Sequence, residues 1–290
     1  MKLKLTETGR KTTQREIKLE SHILKKLSIQ ISLSGLSFCI LNSADTKVDY
    51  LKRIDFKNKL TPEAVLDHLK KAIAEESLLR EHFDSVLVIF QNDLSNLVPA
   101  EYFNEEHSAD YLKFSSKIIK TDFISHDTIA ANNSVNVFVP YVNINNYVFD
   151  VYGEFEYKHA STILMEHALK EEQGAEDDKM YINVAPFHYE MVVVKKGQLQ
   201  LYNTFEYDTK EDFIYFILFA IEQLQLDPET LIVKLTGIIE KDDALFNMLY
   251  TYIRFVEFDK PSQSFTFDSI DINASKHQHT LILNSFNSCE

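Results

Sequence analysis

Glycine is scarce in this chain. Six glycines stand in 290 residues, well under the ordinary usage of about 7%. They are Gly9, Gly35, Gly153, Gly174, Gly197 and Gly237, and no two are closer than 21 residues. Phosphate loops of the Walker and dinucleotide types need clustered glycines, because positive φ and close backbone approach are required at successive positions. Those loops are excluded. Cysteine is scarcer still: Cys39 and Cys289 exclude a disulfide framework and a cysteine zinc site. Cys39 lies in the apolar run Phe38-Cys39-Ile40-Leu41 and reads as a small core hydrophobe. Long hydrophobic runs are absent too. The longest, Phe213 to Ile221, has nine residues between Asp212 and Glu222, about half of a membrane span. The first twenty residues are polar and mixed in charge, with no apolar segment of the signal-peptide kind. The expectation is a soluble, cytoplasmic protein with no membrane partner.

Positive charge is short overall and unevenly placed. The formal net charge is −14, yet residues 1–60 carry 13 Lys and Arg against 6 Asp and Glu, and the remainder 17 against 38. The basic stretch (Lys2, Lys4, Arg10, Lys11, Arg15 and Lys18 lead it) reads as an arm. It serves an anionic partner, lies on the acidic body, or is a plain tail. An acidic body disfavours general nucleic-acid binding.

With 45% hydrophobic and 26% charged residues, the chain has globular composition, and its length predicts two domains of about 145 residues each. Patterning supports this, because two halves follow one plan. Leu27-Ser-Ile-Gln-Ile-Ser-Leu33 alternates and turns at Ser34-Gly35; Leu36 to Leu41 returns, and Val48 to Phe56 supplies a third strand. Thr61-Pro62 opens a helix with Val65, Leu66, Leu69, Ile73 and Leu78 on one face. Val86 to Phe90 is a continuous β-branched and apolar run, the mark of a strand buried on both faces. After the charged stretch Glu171 to Asp178, strands at Tyr181–Val184, Glu190–Val194 and Leu199–Phe205 precede a helix from about Lys210 to Leu226 and a buried strand Leu231–Leu235. A last helix, Asp243–Tyr252, and strand, Phe255–Phe258, follow. Both halves therefore read βββαβ. Residues 104–172 complete the first with an αββα stretch, including helices over Tyr147–Tyr152 and Ile163–Leu169. The expected division is a basic arm (1–21), a first lobe (22–172), an acidic linker (173–178) and a second lobe (179–290).

This α/β plan resembles the duplicated actin, sugar-kinase and heat-shock-chaperone ATPase superfold, whose lobes are ribonuclease H-like, each built on a mixed five-stranded sheet. Within it the chain is similar to an uncharacterised Bacteroidetes family of about 260–290 residues. The residues that carry the likeness are Leu27 to Leu41, Leu97-Val-Pro-Ala-Glu-Tyr-Phe103 and Asn183-Val-Ala-Pro-Phe-His-Tyr189. In active members, two hairpins of the form Asp-x-Gly-Thr/Ser hold phosphates with turn amides while the Asp organises Mg²⁺. A Gly-Gly turn packs the adenosine. Here Ser32 and Asn183 stand at the Asp positions and Ser34 and Ala185 at the Gly positions. Pro186 removes a further donor, and Thr236-Gly237-Ile238 replaces the Gly-Gly turn. The metal-organising carboxylates and the close backbone approach are both lost.

The resemblance therefore implies a non-catalytic pseudo-ATPase, a binding or scaffold module with a protein partner or a second copy of itself. Neither cofactor nor metal is expected. The alternative is a nucleotide-binding enzyme or switch holding ATP weakly, with Asp93 as its base, since Gln91-Asn92-Asp93 follows a buried strand where an α/β crevice lies. Otherwise Asn92 and Asp93 are turn residues. His277-x-His279 reads as solvated loop histidines, or as a metal pair on one strand face. His188 reads as a turn residue that reaches the crevice or does not. Phe213–Ile221, apolar all round, reads as a helix buried on every side, or as one that offers Tyr215 or Phe219 to a partner.

Overall fold

The computed structural model describes residues 24–119, 122–267 and 276–287. The basic arm, 1–21, and Cys289 lie outside the described residues. The first sheet starts as a meander of β1 (Lys25–Ser32), β2 (Gly35–Asn42) and β3 (Lys47–Asp55), each antiparallel to the last. Helix α1 (Pro62–Glu75) follows; Pro62 opens it, and the Thr61 hydroxyl accepts from the Ala64 amide. Its face of Val65, Leu69, Ala72 and Ile73 is buried. The crossover brings β4 (Ser85–Gln91) in parallel beside β1.

A small sheet comes next, made of β5 (Ser95–Pro99), β6 (Ser125–Ile129) and β7 (Ser134–Phe138) in the order β5-β7-β6, with the short helix α2 (Ser108–Leu112) over it. Then α3 (Val142–Tyr152) leads to β8 (Glu156–His159), parallel to β4, and to α4 (Ala160–Glu171). Strands β5 and β8 fall outside the αββα stretch expected for 104–172 or within it unrecognised. Each is five residues or fewer and lacks clear alternation.

The second half repeats the meander with β9 (Lys179–Val184), β10 (His188–Lys195) and β11 (Gln198–Glu206). It continues through α5 (Lys210–Gln223), β12 (Ile232–Gly237), α6 (Ala244–Tyr252) and β13 (Phe255–Phe258). Strand β12 is parallel to β9, and β13 to β12. The duplication is plain in the sheet orders: β3-β2-β1-β4-β8 in one and β11-β10-β9-β12-β13 in the other. After β13 the chain crosses back. Strand β14 (Thr266–Phe267) adds a sixth strand beside β3, and Leu281, Ile282 and Leu283 of α7 (Thr280–Asn284) are buried with Phe286 against Cys39, Leu41 and Val48. Residues 266–267 and 276–287 thus pack with both lobes rather than with the second alone.

Two expectations are corrected. The helix enclosed on all sides is α4, not α5. Nine of its residues are buried, and it shares one core with Leu87 and Ile89 of the first sheet and Tyr181, Val192 and Val194 of the second. Helix α5 lies on the outer face of the second sheet, so only its Phe213, Ile214, Ile217, Ala220 and Ile221 side is covered, while Tyr215 and Phe219 are 61% and 50% exposed. Apolar composition reports helix stability in a sheet layer here, not enclosure. The histidine pair is on no strand: His277 and His279 lie buried in the 3₁₀ turn Lys276–His279. The His277 ring stacks on Phe258 with centroids 4.1 Å apart, and its Nε2 is 2.6 Å from the Ile239 carbonyl oxygen.

Candidate functional site

In an open α/β sheet the crevice forms at the carboxyl ends of the strands. Here those ends are Ser32 of β1, Gln91 of β4, Asn183 of β9 and Thr236-Gly237 of β12. Within each lobe the register places Ser32 beside Gln91 and Asn183 beside Thr236. The duplicated fold sets these two pairs face to face.

Glu190 joins them. It is 3% exposed and projects from β10. One carboxylate oxygen accepts from Gln91 Nε2 of the first lobe at 2.5 Å, the other from Asn183 Nδ2 at 2.9 Å. The network continues on both sides, with Gln30 Nε2 donating to Gln91 Oε1 at 2.8 Å and the Thr236 hydroxyl to Asn183 Oδ1 at 2.9 Å. His188 Nε2 lies 3.5 Å from Glu190 Oε1. Burial acts to raise the Glu190 pKa, but His188 and the Gln91 and Asn183 amides outweigh it and hold the carboxyl below its ordinary value. The result is a polar clasp across the crevice, reinforced at the rim by the Lys59–Glu206 ion pair.

The cavity at the strand ends is about 60 Å³, bordered by Ser34, Lys59, Asn92, Asp93 and His188 among others. A second, more open one of about 410 Å³ adjoins it at the Lys59–Glu206 rim, lined by Phe187, Tyr207, Asp208, Asp212 and Phe216. Pockets for drug-sized ligands run to about 300–1,000 Å³, so the strand-end cavity is too small for one and the outer one is not. Asp93 is exposed at its edge, and Asn92 closes an Asx turn, its Oδ1 accepting from the Leu94 amide at 2.9 Å.

The amides that a phosphate would need are spent within the chain. Ser34 N donates to Ser32 Oγ at 3.2 Å, and the two serine hydroxyls are 3.0 Å apart. Ala185 N donates to the His188 carbonyl at 2.9 Å, and Ile238 N to the Val184 carbonyl at 2.7 Å. Gly237 is present for backbone crossing: its φ is +80°, and a Cβ there would stand 2.0 Å from Val184 O. As arranged, these residues do not fit the phosphates of a nucleotide. Among the described residues, no group of three or more His, Cys, Asp and Glu is placed to hold a metal ion.

The strand-end residues singled out from sequence (Ser32, Ser34, Asn183, Ala185, Thr236 and Gly237) thus all stand at the crevice. Gln30, Gln91 and Glu190 were missed in that role. The available signal was a glutamate inside the otherwise apolar strand Tyr189–Val194, since a lone carboxylate is rarely buried without partners.

Two facing lobes of one strand order, sharing a crevice at their strand ends, define the actin-like ATPase fold. Sequence comparison places the chain more narrowly: it belongs to the DUF3822 family of proteins of unknown function, whose profile matches residues 14–256. No curated protein matches the sequence. Among solved structures, a protein of Bacteroides thetaiotaomicron with an actin-like ATPase fold and unknown function is similar. It has 23% identity and a TM-score of 0.75 over 92% of this chain and 97% of that one. A chain of the PilM–PilN type IV pilus biogenesis complex is also similar, with 14% identity and a TM-score of 0.61 over 92% and 99%. Among the described residues no helix is long and apolar enough to cross a membrane.

Proposed function

We propose that this protein is an actin-like pseudo-ATPase, a cytoplasmic binding or scaffold module whose crevice does no phosphoryl transfer. The observation that carries the reading is the spending of the Ser34, Ala185 and Ile238 amides inside the chain. Phosphoryl transfer depends on positioned donors and metal to neutralise developing charge, and a buried carboxylate at the same place opposes an anion. The Gln91–Glu190–Asn183 clasp supports a fixed lobe arrangement instead. A partner-binding role is supported by a solved structure of similar fold being that of a protein complex, PilM with PilN. It is supported also by the exposed rings of Tyr215 and Phe219 on α5, since aromatic side chains are enriched in interface cores. A second copy of the chain is the other occupant this face admits.

The test is hydrolytic. Purified protein is expected to release no phosphate from Mg-ATP above a boiled control. The double variant Ser32→Asp with Asn183→Asp is expected to stay inactive, because the spent amides and Pro186 remain. Turnover in the native chain that Asp93→Asn abolishes would overturn the reading.

A further inference from the structure

A second polar cluster lies away from the crevice, where α4 meets the segment returning after β13. His167 of α4 is 6% exposed, and its two ring nitrogens face different partners. Nε2 is 2.6 Å from Asp259 Oδ2, and Nδ1 is 2.8 Å from Ser262 Oγ. The outer members are held by their own backbones: Asp259 N donates to the Leu235 carbonyl at 2.9 Å, and Ser262 N to Asn284 Oδ1 at 2.9 Å. The Tyr181 ring packs edge-on against the imidazole at 5.8 Å. Beside Ser262 opens a cavity of about 140 Å³, lined also by Ile163, Lys170 and Asn287. That is close to the volume of cavities known to take a benzene-sized molecule. The Asn287 Nδ2 group is buried with no hydrogen-bond partner among the described residues.

We propose that Ser262, His167 and Asp259 form an acyl-transfer site that hydrolyses short-chain carboxylic esters. Three observations converge on it. Neutral imidazole needs only a carbonyl oxygen to satisfy its N–H, but here a buried carboxylate takes that place, which also stabilises the imidazolium formed by proton transfer. With Nε2 donating to Asp259, Nδ1 is left as the acceptor of the Ser262 hydroxyl proton. And a cavity of acyl size adjoins the hydroxyl, bordered by Lys170 and Glu166 and by the Asn287 amide, which has no partner among the described residues. The Asn287 Nδ2 group and the Lys170 cation can face a developing oxyanion, with the Glu166 carboxylate opposing it.

The chemistry balances without a further reagent except water. Ser262 Oγ attacks the ester carbonyl carbon as its proton passes to His167 Nδ1. The tetrahedral oxyanion collapses, the carbon–alkoxide bond breaks, and the leaving alkoxide takes the proton from Nδ1. Water then attacks the acyl-serine, giving a proton to Nδ1. Cleavage of the Oγ–carbon bond returns that proton to Ser262 and releases the carboxylic acid. Asp259 touches no reacting atom and is a positioning residue. The charged and titratable groups facing His167 besides Asp259 are Glu166 and Lys170 of α4 and the Tyr181 phenol, which donates to Glu172.

The full chain is to be incubated with a fluorophosphonate probe, read by intact mass and peptide mapping, and separately with p-nitrophenyl butyrate. The expected result is one adduct, on Ser262, and nitrophenol release that Ser262→Ala returns to background. His167→Gln should slow labelling by about 10²-fold or more, the usual contribution of a positioned base. Asp259→Asn should slow labelling about as far as His167→Gln does while the fold, read by circular dichroism, persists, and Asp259→Glu should restore part of the rate; a merely structural aspartate would leave the labelling rate of the folded variant unchanged. Absence of an adduct on the native chain, or labelling and turnover that persist in Ser262→Ala, would overturn the proposal. Should His167→Gln not fold, Ser262→Ala decides, because it removes only one half-buried hydroxyl.

Discussion

Glu190 shows how much one side chain settles at the crevice. Its charge is enclosed, and it is kept ionised by His188 and two amides against the opposing effect of burial. A carboxyl whose folded pKa lies below its unfolded value adds stability above about pH 4.5, and that stability is lost as pH falls through the lowered folded value. Two histidines act in a higher window. Burial pushes His159 down to about 4, and burial with the Arg53 charge does the same for His279. Both stay neutral in the fold while the unfolded chain takes up protons below about 6.5. Stability should therefore decline between pH 6.5 and 4, by up to about 1.4 kcal/mol per pH unit for each histidine. His159→Asn retains a side-chain acceptor for the Ser161 amide at the start of α4. Urea unfolding at several pH values should show a shallower decline for that variant over this window; an unchanged slope would contradict the assignment. Gly237→Ala makes a separate demand. With a Cβ 2.0 Å from Val184 O at φ +80°, the variant should lose about 3–5 kcal/mol in the same assay, the range of the costliest single substitutions. Glycine scarcity made this position conspicuous in the sequence. The Glu190 clasp was not, because the donor that carries it to the other lobe, Gln91 of β4, lies 99 residues away in the chain.

At the scale of elements, local signals carried far where a strand or helix is long. The hairpin turn expected at Ser34-Gly35 forms one residue earlier, at Leu33-Ser34 with Gly35 already paired in β2, and the helix starts at Thr61-Pro62 as its residues suggest. Enclosure was not legible in the same way. Helix α4 mixes Ser161, Thr162, His167 and Ala168 with apolar residues and reads as ordinary, yet it fills the space between the lobes because Asn136 and Asp127 satisfy its polar side chains. Helix α5 reads as enclosed, yet one face is bare. Thus Tyr215→Ala and Phe219→Ala should each change stability by no more than about 0.5 kcal/mol, whereas Ile217→Ala should cost about 2–5 kcal/mol; thermal melts of the three variants check the contrast. The return of residues 266–267 and 276–287 was hidden because their contacts with β2 and β3 span more than two hundred residues. Burying Leu281, Ile282, Leu283 and Phe286 is worth about 1.5–3 kcal/mol each, together comparable to the whole stability of a typical domain, about 5–15 kcal/mol. A chain ending at residue 267 should accordingly fail to show a cooperative thermal transition. A transition like that of the full chain would refute the shared core.

For the whole molecule, duplication was legible because each meander and its parallel fourth strand recur 154 residues apart, at Lys25 and Lys179. What the lobes do with the crevice between them is the claim at stake. It rests on spent amides, a carboxylate clasp and a gap of about 60 Å³ at the strand ends, where a phosphate would have to sit. Thermal unfolding of the purified chain with and without Mg-ATP tests it most directly, because a ligand at 100 times its Kd stabilises the folded state by about 2.7 kcal/mol. The account predicts superimposable melts at millimolar Mg-ATP. A saturable rise in melting temperature, lost in a variant of the crevice such as Asn183→Leu, would contradict it.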